Sequence, residues 1–446
     1  MSQPTLLNLL SDLISDARKA GAEAADAIVV DGTSVSVTSR LGKLEQLERS
    51  EGGDIGLRVL IGKRQAIVSS SDRSKEALKE LVERAVAMAR TVPEDPYCGL
   101  AAPEQLAKSL PALDICDPAE VSAETLIEKA KACEAAALDI KGVTNSEGAS
   151  ASWGKSQVAI AASNGFVRTY ESSGSSMSVS VIAGENDHME TDYDYTSAVY
   201  FTDLKAPAEV GVGAGTRAVR KLGGRKVSSQ KVPVIFDARV ARGLVSHFLG
   251  AINGSSIARG TSFLKDAMNA DVFASGINIF EDPHRNRGLR SKPCDAEGLA
   301  NMGRALIDKG QLTTWILDLR SARQLNLTPT GHATRGTGSP PSAGTTNVWL
   351  EAGKDSPIAL MSDIKEGLFV TDLSGQGVNG VTGDYSRGAV GFWIENGQIT
   401  YPVHEITIAG NLKDMFKRIT PANDLDLRYG IDAPTVRIDG MSLAGT

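Results

Sequence analysis

The sequence predicts an α+β protein, and three observations predict it. Helical and strand-rich stretches are partly segregated and do not alternate strand–helix–strand throughout. Apolar spacing switches between helical and two-residue periods. The C-terminal half is rich in glycine and poor in helical patterns. The expected layout is N-terminal helix/sheet units, 1–112 and 113–228, followed by a large strand-rich, mostly antiparallel domain, 229–446.

The first element is a helix, because Leu6, Leu7, Leu10, Leu13, Ile14 and Ala17 recur at three- and four-residue intervals and Gly21 stops the run. Short strands at 27–30, 34–38, 44–48, 55–61 and 65–69 follow, separated by glycine turns. A second amphipathic helix spans about 73–89, with Asp72 as its expected N-cap. The stretch 91–113, rich in Pro and Ala, reads as a surface linker.

The middle unit opens with a helix at Asp117-Pro118, where Pro suits a first turn. Alternating Ser- and Gly-rich strands are expected at 148–153, 157–161, 167–171 and 177–183. Their short side chains suit a sheet that another layer approaches closely. Pro207 opens the next helix, which runs to Gly223-Gly224. Gly211-Val-Gly-Ala-Gly215 lies inside it and reads as tight helix packing, since no strand precedes it as a nucleotide loop requires. The third unit begins with a buried strand at 232–236 and a helix at 238–252. Asn396-Gly397 between 392–395 and 399–403 predicts a hairpin with a type I′ turn.

The chain has 446 residues and a formal net charge of -7. That charge disfavours non-specific contact with nucleic acid or an anionic membrane. No apolar stretch approaches the ~20 residues that span a bilayer, and no secretory signal pattern is visible, so a cytoplasmic protein is expected. Its four cysteines form no CxxC pair and match no zinc framework, so reduced thiols are expected.

Catalytic motifs are missing. A catalytic zinc needs about three protein ligands and an open position. The five histidines, His188, His247, His284, His332 and His404, form no His-Glu-x-x-His pair. His404 alternates with its neighbours as on a strand. His247 sits alone on the 238–252 helix, and His332 lies on a glycine-rich loop, the better place for a groove residue. There is no Gly-x-Ser-x-Gly elbow. The glycines at 375, 377, 380, 383, 388 and 391 let backbones approach closely. They fit either a groove that holds an extended peptide by strand addition, or a plain barrel or sandwich with crowded corners.

Several segments carry a resemblance to the PmbA/TldE branch of the TldD/PmbA family, once called modulators of DNA gyrase. They are Gly56-Leu-Arg-Val-Leu, Glu94-Asp-Pro-Tyr, Asn145-Ser-Glu-Gly, Pro233-Val-Ile-Phe-Asp, Asp295-Ala-Glu-Gly, Gly375-Gln-Gly through Gly383-Asp-Tyr-Ser-Arg-Gly, and Ile406-Thr-Ile-Ala-Gly-Asn-Leu-Lys-Asp-Met. The resemblance implies a cytosolic heterodimer with a TldD-type zinc peptidase subunit, acting on unfolded or extended peptides such as a microcin precursor or an antitoxin. It implies a His-Glu-x-x-x-His helix and a C-terminal Cys ligand in the partner. Here the matching helix reads Ser246-His247-Phe-Leu-Gly-Ala and the tail reads Leu427-Arg-Tyr-Gly-Ile. No catalytic residue, metal ligand or cofactor is therefore assigned to this chain, and zinc is expected in the partner. Groove or interface candidates are His247, His332, Gly375, Gln376, Gly377, Gly383, Asp384 and Arg387. Without its partner the chain is a candidate homodimer. Two other readings are an active metallopeptidase that recruits metal through His247, His332 or His404, and a non-enzymatic modulator of gyrase.

Overall fold

The computed structural model describes residues 3–446. The first part runs α1 (Gln3–Lys19), β1 (Ala24–Arg40), β2 (Lys43–Ile61), β3 (Arg64–Ser70), α2 (Lys75–Thr91), α3 (Ala123–Leu138), β4 (Val143–Ala162), β5 (Val167–Ala183), β6 (Glu190–Ala198) and α4 (Pro207–Arg220). Strands from 1–112 and from 113–228 lie in one antiparallel sheet, ordered β3-β2-β1-β4-β5-β6.

Side chains two apart on a strand share a face. Ala25, Ala27 and Val29 of β1 pack under α1 and α2, while Val35 and Val37 pack under α3 and α4. All four helices thus cover one face. Gly211 and Gly215 let α4 lie against α3: a Cβ at Gly211 would come 2.2 Å from the Cys133 carbonyl oxygen. The opposite face carries Asp26 and Ile28, and Ile28 packs with Cys294 of the C-terminal part.

The expected strand breaks do not occur. Residues 27–30 and 34–38 are one strand, as are 44–48 and 55–61, 148–153 and 157–161, and 167–171 and 177–183. The glycines taken for turns sit in the ladder itself, with Gly32 opposite Gly52 and Asp31 opposite Gly53. The real turn is at Leu41-Gly42, whose φ angles are 49° and 73°. Two helix starts also differ. Ser74 caps α2, accepting from the Ala77 amide, while Asp72, two residues before it, accepts from the Ser74 amide. Ser122 caps α3, so that helix begins after Asp117-Pro118. Asp117 instead ties a loop by accepting from the amides of Ala119 and Phe201.

The second part runs β7 (Gln230–Phe236), α5 (Ala238–Ala251), α6 (Gly254–Ala258), β8 (Ile279–Asp282), β9 (Arg304–Asp308), β10 (Gln311–Leu312), α7 (Leu319–Leu325), β11 (Ala333–Thr334), β12 (Ser342–Ala343), β13 (Asn347–Leu350), α8 (Pro357–Met361), β14 (Glu366–Ser374), β15 (Asp384–Glu395), β16 (Gln398–Asn411), α9 (Leu412–Lys417), β17 (Ile419–Pro421), β18 (Ile431–Asp432) and β19 (Val436–Ala444). Its main sheet is ordered β16-β15-β14-β7-β19-β17, with β7 parallel to β14 and antiparallel to β19. The fold is mixed α+β and mostly antiparallel, as the sequence predicts. The Asn396-Gly397 hairpin is present, with both residues at positive φ.

Helix α5 is held against this sheet by Leu244, Val245 and Phe248, which bury with Val234, Phe236 and Val370. The Phe248 ring meets Phe273 edge-on at 5.2 Å. Its truncation to Ala would cost about 3–5 kcal/mol. Among the described residues no helix is long and apolar enough to cross a membrane.

Candidate functional site

The outward stripe of α5 presents Arg239, Arg242, Gly243, Ser246, His247 and Gly250, three or four residues apart, so they form one wall. Two adjoining cavities of about 410 and 340 Å³ open along this wall and share Ser246, His247 and Arg387. Together they make a groove. One end is lined by Tyr193, Arg290 and Tyr429, the other by Phe263, Gln376 and Gly380.

The loop between β14 and β15 forms the second wall. The Gly377 carbonyl accepts from the Ser386 amide at 2.6 Å, and a Cβ on Gly377 would stand 1.9 Å from the Ser386 carbonyl oxygen. Only glycine lets the loop lie this flat on β15. Gly375 and Gly383 turn the chain at φ 82° and 86°. Asp384 closes the base of the loop, accepting from Thr382 Oγ1 at 2.7 Å and Asn411 Nδ2 at 3.0 Å. Gln376 is thereby placed in the groove, whereas Gly375, Gly377, Gly383 and Asp384 shape its wall without lining it.

Arg387 is anchored to that wall. Its Nε donates to the Ser374 carbonyl at 3.0 Å and Nη2 to the Leu373 carbonyl at 3.5 Å. His247 faces it across the groove floor, its ring edge-on to Tyr385 with centroids 6.0 Å apart. Burial first, and then the Arg387 charge, hold the His247 imidazole below its ordinary value, so it is neutral at pH 7.

His332 is placed elsewhere. It is buried, with Nε2 2.5 Å from Glu281 and Nδ1 2.7 Å from Thr330 Oγ1. Glu281 also accepts from the Thr346 amide and hydroxyl. Burial alone would raise the Glu281 carboxyl, but the hydrogen bonds of His332 and Thr346 outweigh it. Of the eight candidates, His247, Gln376 and Arg387 meet in the groove, and His332 belongs to this internal network.

Sequence reasoning missed the basic and aromatic lining. Arg242 stacks 5.1 Å from the Tyr429 ring centroid and donates to Tyr195 Oη at 2.5 Å. Arg239 stacks 4.0 Å over Tyr193 and pairs with Asp192 at 2.7 Å. A signal existed for part of this. Arg239 and Arg242 share the helical stripe of Ser246, and Tyr193 and Tyr195 share a strand face. Arg290 and Tyr429 come from irregular segments and left none.

The groove does not fit a zinc ion. Helix α5 contains no Asp or Glu, His247 is its only imidazole, and a guanidinium sits near it. Among the described residues no group of three or more His, Cys, Asp or Glu is arranged to hold a metal.

Known proteins resemble the chain along nearly its whole length. It is 41% identical over 426 residues to metalloprotease PmbA of Escherichia coli O157:H7, covering 95% of this chain and 92% of that one. It is 38% identical to a PmbA homolog of Haemophilus influenzae, over 99% and 96%. The fold matches a proposed modulator of DNA gyrase from Bacteroides thetaiotaomicron, with a TM-score of 0.91, 27% identity and 98% coverage of both chains. TldE of Thermococcus kodakarensis shares the fold at a TM-score of 0.86 and 21% identity, over 98% of this chain and 100% of that one. Residues 25–89, 116–222 and 229–445 match domain 1, the central domain and the C-terminal domain of the PmbA/TldA metallopeptidases. From end to end, then, the chain belongs to the TldD/PmbA family.

Proposed function

We propose that this chain is the PmbA/TldE-type, non-catalytic subunit of a cytoplasmic peptidase complex, and that it binds extended peptide beside a TldD-type zinc subunit. The observation that carries the reading is the composition of the α5 groove. A divalent cation there would find one imidazole, one carboxylate (Asp372) that already faces Lys221, and repelling guanidinium groups, fewer than the three ligands a zinc site needs, while an extended chain would find tyrosine rings, guanidinium donors and a backbone-lined loop. The groove is open and elongated, which suits a chain segment better than a compact ligand.

A complex also needs a contact surface. Residues 43–54 of β2 pair with β1 alone among the described residues, so their outer backbone edge is free for a partner strand. The test is reconstitution. The isolated chain should cleave no unfolded peptide, and the mixture with a TldD-type partner should cleave it in a chelator-sensitive way. Chelator-sensitive cleavage by this chain alone, free of partner, would overturn the assignment.

A further inference from the structure

We propose that the α5 groove recognises a carboxylate on the bound peptide, so that this subunit selects acidic or free C-terminal segments. This rests on the peptide-binding reading above and specifies its ligand.

The chain carries a net charge of -7, yet its groove has the opposite sign. Four arginines line it: Arg239, Arg242, Arg290 and Arg387. The one carboxylate in the lining, Asp372, lies 3.7 Å from Lys221. Arg239 and Lys221 share Asp192, at 2.7 and 2.8 Å, so these two cations are balanced by Asp192 and Asp372 together. Among the described residues the other three arginines have no carboxylate within ion-pair distance and only neutral partners. Arg242 donates to a tyrosine hydroxyl, Arg290 to the Thr345 carbonyl at 3.3 Å, and Arg387 to two carbonyls. Surplus guanidinium charge gathered in one concave site, on a protein with an excess of acid, calls for an anion from outside. His247 feels the Arg387 charge as well: burial is the larger cause of its lowered basicity, and the guanidinium is the second.

The geometry favours a carboxylate on a flexible chain. A guanidinium fork matches a planar carboxylate with two parallel hydrogen bonds. Arg242 lies over the Tyr195 and Tyr429 rings, at 5.7 and 5.1 Å, and its Nη1 donates to Tyr195 Oη, contacts that restrain its fork before a ligand arrives. The tyrosine faces and the Gly380 stretch flank the charge with surface suited to an adjoining backbone and side chains. A long polyanion such as nucleic acid would have to overcome the acidic exterior.

Fluorescent ten-residue unfolded peptides, titrated into the full chain, test this. One peptide carries three Glu, a second carries Gln in their place, and each is made with a free or an amidated C-terminus. The expected result is that a carboxylate-bearing peptide binds at least tenfold more tightly than the fully neutral one, and that the preference shrinks as salt rises. The four arms separate side-chain carboxylate from C-terminal carboxylate. Arg387→Gln and Arg242→Gln should each remove most of the preference, Arg387→Lys should restore part of it, and Arg64→Gln, which is outside the groove lining and pairs with Glu94, should leave it intact. Circular dichroism checks that each variant is folded. Equal binding of all four peptides would overturn the carboxylate proposal and leave peptide binding standing. No binding of any peptide would overturn both. A single-stranded oligonucleotide that competes better than the acidic peptide would also overturn it.

Discussion

Asp26 of β1 and Arg335 of the C-terminal part, 309 residues apart, form a buried ion pair. Arg58 of β2 completes it, with Nε donating to the same carboxylate at 2.8 Å. This carboxylate joins the large N-terminal sheet to the domain that carries the groove. Burial alone would raise the Asp26 carboxyl, but Arg58 and Arg335 outweigh it and hold it below its usual range. Its contribution to stability is therefore present above the unfolded carboxylate value and lost as pH falls through the lower folded value.

Asp26→Ala should strand two buried guanidinium groups and cost about 3–5 kcal/mol. Chemical denaturation at pH 7 measures it. A loss under 1 kcal/mol would mean that water replaces the carboxylate, and that the pair does not hold the two parts together.

A pair of buried carboxylates, Asp295 and Glu297, acts in the opposite pH direction. Asp295 accepts from the amides of Glu297, Leu299 and Ala333, and Glu297 accepts from the Leu319 amide at 2.8 Å. Burial, and then the neighbouring Asp295, push Glu297 up to about 8, and burial pushes Asp295 up to about 6. An acid raised on folding stabilises fully below its unfolded value, and that stability is lost as pH climbs to the folded value. Each pH unit in that window costs up to about 1.4 kcal/mol. Glu297→Gln keeps an acceptor for Leu319 and removes the titration. It should raise the melting temperature at pH 8 and leave it nearly unchanged at pH 5. An equal shift at both pH values would assign the effect to packing.

The coupling of His247 to Arg387 gives a third expectation. Replacing Arg387 with Gln removes one cause of the depressed imidazole and leaves the larger one, burial. The His247 value should rise but stay below the ordinary histidine value of about 6.5. A histidine NMR titration of the two proteins reads this directly. An unchanged value would show that Arg387 does not act on the ring.

The sequence made the periodic parts of this architecture legible. The stripe of α1, the buried run of β7, the α5 helix and the Asn396-Gly397 hairpin all follow from spacing and turn chemistry. Strand continuity did not, because Gly32 and Gly52 look like turn residues until they are seen facing each other across a ladder. The groove was half legible. Gln376 and Arg387 lie in a glycine-dense stretch that signals close backbone approach. His332 misled because a loop histidine gives no local sign of burial, and its partner Glu281 is 51 residues away. The four arginines of the positive lining come from three separate segments, whose meeting depends on tertiary packing.

That glycine-dense stretch supplies the last prediction. At Gly377 a Cβ would lie 1.9 Å from a backbone oxygen that cannot swing aside, so Gly377→Val must lift the loop from β15. At Gly383 the obstacle is conformational, since φ is 86°, and its Cβ would also meet Asn411 and Phe263 at 3.1 and 3.3 Å. The loop is exposed at Gly375, Gln376 and Gly377, and its displacement uncovers little core. Gly377→Val should thus cost only about 1–3 kcal/mol. Because Gln376 moves with it, peptide binding by the chain should weaken, and so should activity of the complex with a TldD-type partner. Thermal unfolding and peptide titration on the same preparation separate the two effects. A variant as stable as the parent that binds peptide equally well would show that the loop is no part of the groove. One that fails to fold would show that the loop holds the sheet, and Gln376→Ala, which leaves the backbone alone, would then carry the binding test.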